Sequence, residues 1–122
     1  MHQSAVLLIV LVVSLASACG EELPLTLQPG APVRVFESGA KSEHALLPES
    51  DSYRKLAGWI THNKSGWSPI LATPPGGGVR VECGKFSVQF FESRAIAYTQ
   101  NGVFIKSVTP SEYSFLRGTN GT

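Results

Sequence analysis

The stretch from residue 79 to residue 108 constrains the fold more than any other part of the chain. Val79, Val81 and Cys83 alternate with Arg80 and Glu82, and Phe86, Val88 and Phe90 alternate with Ser87, Gln89 and Phe91. A period of two puts each set on its own face of a strand. Gly84-Lys85 separates the two runs, and Ser93-Arg94 turns the chain into Ala95-Ile96-Ala97-Tyr98-Thr99. Asn101-Gly102 then precedes Val103–Val108. Asn and Gly both tolerate the positive φ of a type I′ turn, so this pair is the strongest hairpin signal present. Connections this short exclude parallel crossovers, and the segment reads as an antiparallel meander.

One helix is expected from about Asp51 to His62. Ser50 or Asp51 supplies an N-cap oxygen. Tyr53, Leu56, Ala57 and Ile60 fall at i, i+3, i+4 and i+7 and line one face. Asn63-Lys64-Ser65-Gly66 gives a polar stop, and Gly58 suggests a close approach to a strand. Val33–Phe36 reads as a short strand, Ser38–Leu47 as loop, and Trp67–Thr73 as an edge strand because Pro69 cannot donate to a ladder. Thr109-Pro110-Ser111-Glu112 is a capping box with Pro at the first helical position, which starts a short C-terminal helix ending near Arg117. The fold class is therefore α+β: a meander sheet of four or five strands, with one helix packed on it and a short C-terminal helix. Val79, Val81, Phe86, Val88 and Phe90 are expected in the core, completed by Ile96 or Tyr98 and by Ile105.

The chain holds ten basic and nine acidic residues. They are scattered from Glu21 to Arg117, so the clustered basic face of a nucleic-acid binder is absent from the sequence. No catalytic constellation emerges. Cys83 with His62 or His44 would need an activated thiolate, yet Cys83 shares a strand face with Val79 and Val81. Glu82 and Glu92 do not stand out as a hydrolytic pair, and G-x-S-x-G is missing. His44 and His62 lack metal-ligand spacing, so neither a metal nor a cofactor is expected. Gly76-Gly77-Gly78 is followed by a strand and lacks the Lys-Ser/Thr of a phosphate loop. The best binding candidates are Trp59 and Trp67, with Pro74, Pro75, Gly76, Gly77 and Gly78 as a partner-facing patch, since aromatics are enriched at such surfaces; the competing reading is that both tryptophans cap the edge of the core, as large aromatics do in small domains.

The N-terminus carries an address. Ala5–Leu15 is an apolar run too short for the roughly 20 residues that span a bilayer, but it matches the length of an export signal. Ala16-Ser17-Ala18-Cys19 follows. This resembles the lipobox of bacterial lipoproteins, and the chain is similar in layout to small proteobacterial lipoproteins with an uncharacterised C-terminal domain. The resemblance implies cleavage after residue 18, a diacylglycerol thioether and an acylated amine on Cys19, and attachment to the membrane. Gly20 in the next position, where no Asp stands, implies the outer membrane in enterobacterial members. Cleavage without lipidation is the alternative; it would give a soluble secreted protein in which Cys19 could pair with Cys83.

Residues 1–18 are thus expected as signal peptide and 19–32 as a Pro-rich tether behind the lipid. Residues 33–118 form a single domain of under about 100 residues, and 119–122 a frayed tail. The expected function is a non-enzymatic binding module in the cell envelope, with an envelope protein or cell-wall component as partner. The alternative is an inhibitor or immunity-like protein that inserts the Pro74–Gly78 loop into an envelope hydrolase.

Overall fold

The computed structural model describes residues 20–38, 43–71 and 76–117. Its elements in chain order are β1 (Val33–Glu37), β2 (Glu43–Leu46), α1 (Asp51–His62), β3 (Ser68–Pro69), β4 (Val79–Glu82), β5 (Ser87–Phe91), β6 (Arg94–Thr99) and β7 (Gly102–Ser107). Two 3-10 turns follow, at Pro110–Glu112 and Ser114–Leu116. Among the described residues the strands form one antiparallel sheet in the order β2-β1-β4-β5-β6-β7-β3. The molecule is a sheet-rich α+β fold with seven strands among the described residues, more than the four or five expected. Of these, β2 lies in the stretch read as loop, whereas the very short β3 falls within the expected edge strand.

Register sets the two faces. The row Val35, Val81, Val88, Ala97, Phe104 is buried throughout and lies under α1. The next row, Phe36, Arg80, Gln89, Ile96, Ile105, points the other way. Val79, Val81, Phe86, Val88 and Phe90 are core residues, as their alternation requires. Ile96, Tyr98 and Ile105, by contrast, lie on the opposite face, where Ile96 is nevertheless buried at 1% exposure. Ala95, Ala97 and Phe104 take the inward places instead. The small alanines stand opposite Phe90 and Phe104 in the register, so large and small side chains alternate across the layer as close packing demands.

The helix forms as its sequence dictates. Ser50 Oγ accepts the Tyr53 amide at 3.2 Å, and Leu56, Trp59 and Ile60 are buried. Arg54 bonds Asp51 one turn earlier on the exposed side. Gly58 has no neighbour within 4 Å of where a Cβ would stand, so it permits no close approach. At the C-terminus the capping box is present, with the Thr109 amide donating to Glu112 Oε2 at 2.8 Å. The expected short helix takes the form of two consecutive 3-10 turns of three residues each.

The segment expected as a tether behaves differently. Glu21 and Trp67 exchange backbone hydrogen bonds at 2.9 and 3.2 Å, and the Leu23 amide donates to Lys64 O at 2.7 Å. Leu23 and Leu25 are buried members of the core. The prolines do keep this segment extended, but alternate leucines then face inward, and residues 20–25 finish the fold instead of leading up to it.

Candidate functional site

Trp59 and Trp67 are core residues and form no surface patch. Trp67 is 0% exposed, and its indole Nε1 donates to Asn63 O at 2.6 Å. Trp59 is 8% exposed and donates to Glu112 Oε1 at 3.0 Å. Their rings meet edge-on at 6.3 Å, and Trp59 meets Phe90 at 4.9 Å. Phe90 in turn stacks on Tyr113 at 4.9 Å. Buried aromatics meeting this way hold a helix, a sheet and the C-terminal turns together. Cys19, Pro74 and Pro75 lie outside the described residues.

Gly76, Gly77 and Gly78 lie across the sheet from the tryptophans, so the predicted patch does not assemble. Gly77 O accepts Gln89 Nε2 at 2.7 Å, and Gln89 Oε1 accepts the Tyr98 hydroxyl at 2.7 Å. Gly78 has φ 76° and its carbonyl accepts the Ser38 amide at 2.8 Å. A Cβ on Gly78 would stand 2.0 Å from Phe90 O, so only glycine passes this close to β5. The described part of the glycine loop is therefore pinned at its base.

What gathers beside it is an open cleft of about 340 Å³, with Phe36, Arg80, Gln89 and Tyr98 along its floor and Gly77 and Gly78 at its lip. The Phe36 ring carries two guanidinium groups, Arg34 at 5.1 Å and Arg80 at 4.9 Å from its centre. Arg34 makes a two-pronged bond to Glu43 at 2.8 and 3.0 Å. That bond raises the Arg34 pKa and lowers that of Glu43. Arg80 Nε lies 3.2 Å from Glu82. Partial burial raises the Tyr98 hydroxyl, which Arg80 opposes, so it stays protonated at neutral pH and serves as a donor. This arrangement is suited to stacking, to carboxylate recognition by a planar fork and to hydrogen bonding.

A second concavity of about 450 Å³ lies where α1 meets the 3-10 turns, along the edge of Trp59. Its carboxylate, Glu112, is committed to Thr109 and Trp59. Cys83, the thiol weighed as a nucleophile, is 5% exposed on the inner face. Burial first, and then the charge of Glu82, pushes its pKa up to about 12, the opposite of what a thiolate nucleophile needs. Among the described residues no three His, Cys, Asp or Glu side chains cluster to hold a metal ion. No described helix is long and apolar enough to cross a membrane.

Phe36 was the functional candidate hardest to find in the sequence. The outward direction of Arg80 and Gln89 follows from their alternation with Val79, Val81 and Val88, but bringing Phe36 beside Arg80 requires the long-range pairing of β1 with β4. Comparison with protein-family models, curated proteins and solved structures finds no match to this chain.

Proposed function

We propose that the chain is an exported envelope protein, anchored by a lipid on Cys19, that works as a binding module and not as a catalyst. It meets its partner through the sheet face that α1 leaves uncovered, at Phe36, Arg80, Tyr98 and the glycine lip. One observation carries this reading: an aromatic ring flanked by two arginines stands on an open face beside a loop fixed from below. Arginine and aromatic side chains dominate the energetics of protein interfaces. The matching partner is a protein that presents a carboxylate next to an apolar side chain. The lipid reading of Cys19 gains support over a disulfide. Cys83 follows β4, four strand positions from β3, where Gly20 abuts Gly66. That is about 19 Å at ordinary strand spacing, whereas a disulfide needs Cα atoms within about 7 Å.

A photocrosslinking side chain placed at Phe36 in the living envelope should trap a specific protein, and the same side chain at Lys55 on α1 should not. Arg80→Glu should abolish the trapped product. Equal trapping at both positions, or trapping indifferent to Arg80→Glu, would show that this face is not the binding surface.

A further inference from the structure

The expected spacer between anchor and domain is absent. Glu21 is already paired with Trp67, so Cys19 stands two residues from a fixed strand edge, a reach of about 7 Å at most. Trp67 turns its backbone groups toward Glu21, while the next residue, Ser68, pairs with Ile105 of β7. Successive residues of a strand direct their hydrogen bonds to opposite sides. Glu21 therefore lies beyond β3, at the outermost edge of the sheet. Four residues further along that edge, about 13 Å in an extended strand, Leu71 is fully exposed. A lone exposed leucine is common, but this one shares an edge with Glu21, two residues after the anchor. Arg94, Lys106, Gly66 and Ser68 line a notch of about 240 Å³ at the same edge. Lys106 Nζ donates there to Ser65 O at 2.6 Å.

We infer that the β3 edge of the sheet rests directly on the bilayer surface. The acyl chains enter beside Glu21, Leu71 reaches the lipid as a second contact, and Arg94 and Lys106 face the phosphate headgroups. The sheet then stands on this edge and carries β1, with Phe36, at its far end, five strand positions or about 24 Å away. The inference rests on the lipidation of Cys19 proposed above and adds the orientation of the domain.

The test uses the full lipidated protein, purified from membranes and reconstituted into vesicles of phosphatidylethanolamine with a minority of phosphatidylglycerol. A fluorophore is attached to a single cysteine introduced at Ser68, or at Ala45 on β2, and is quenched by headgroup nitroxide lipids. Buried Cys83 does not compete for the label. Quenching should be several-fold stronger at Ser68 than at Ala45, and Leu71→Asp should shrink the difference. Equal quenching at the two positions overturns the inference, and a contrast untouched by Leu71→Asp removes Leu71 from the contact. The intact mass separates the causes of failure. An unacylated Cys19 sinks the anchor and the orientation together, whereas an acylated Cys19 with equal quenching sinks the orientation alone.

Discussion

At the scale of single residues, Cys83 shows most directly how burial fixes chemistry. Its thiol is buried on the inner face, and its pKa rises from the ordinary 9.0 to about 12. At neutral pH that leaves about a thousandfold less thiolate than an exposed cysteine carries. Alkylation by iodoacetamide at pH 8 should therefore be about a thousandfold slower in the folded protein than in guanidinium, read by mass spectrometry. The same shift links stability to alkaline pH. A thiol held neutral by the fold stabilises it fully below pH 9.0, and this contribution drains away as pH rises toward 12. Urea midpoints of the wild type should fall over that range more steeply than those of Cys83→Ala; parallel curves would mean that the thiol ionises freely.

At the scale of elements, two glycines should respond to alanine with opposite signs. Gly58 stands in α1 with open space around it, so Gly58→Ala should stabilise by roughly 0.5–1 kcal/mol. Gly78 has a positive φ and backbone within 2.0 Å, so Gly78→Ala should destabilise by at least about 1–3 kcal/mol. Thermal denaturation of the two variants checks both signs. Glu112 joins the C-terminal turns to α1. The Thr109 amide lowers its pKa most, burial opposes, and the Trp59 indole then adds to the lowering. A lowered carboxylate stabilises above its ordinary 4.5 and loses that contribution as pH falls through its folded value. Glu112→Gln should therefore flatten the acid limb of a urea-midpoint profile run from about pH 6 to pH 3; an unchanged limb would place the acid sensitivity elsewhere. How far these elements were legible depended on the range of the cause. The Ser50 cap, the β4–β5 alternation and the edge position of Pro69 are local, and the sequence displays them. In β6 the period of two was visible but its phase was not. Ile96 and Tyr98 are larger than Ala95 and Ala97 and look like core, and only pairing with β5, together with the volume of Phe90, assigns the inward places to the alanines. The patch reading of the two tryptophans fails for a related reason, while the core-edge reading stands: their positions beside and beyond the helical stripe conceal an enclosure created by β5 and the C-terminal turns.

For the molecule as a whole, the decisive element is the one that composition disguised. Three prolines made residues 20–32 look like a spacer, yet Leu23 and Leu25 are 4% and 1% exposed. Burying each leucine contributes about 1.5–3 kcal/mol, a large share of the 5–15 kcal/mol that holds a typical domain. A chain beginning at Pro32 should accordingly lose its cooperative unfolding transition, and the Leu25→Asp variant of the full chain should fail in the same way. A sharp transition in the shortened chain would show that residues 20–31 merely adhere to a finished domain. The aromatic cluster has an optical consequence. The protein has two tryptophans, and they face each other in the interior with Phe90 alongside. Ultraviolet excitation thus interrogates a single spot where helix, sheet and N-terminal segment converge. The folded protein should emit at short wavelength and shift to the red when any of the three lets go, so the chain carries an unlabelled reporter of its own assembly.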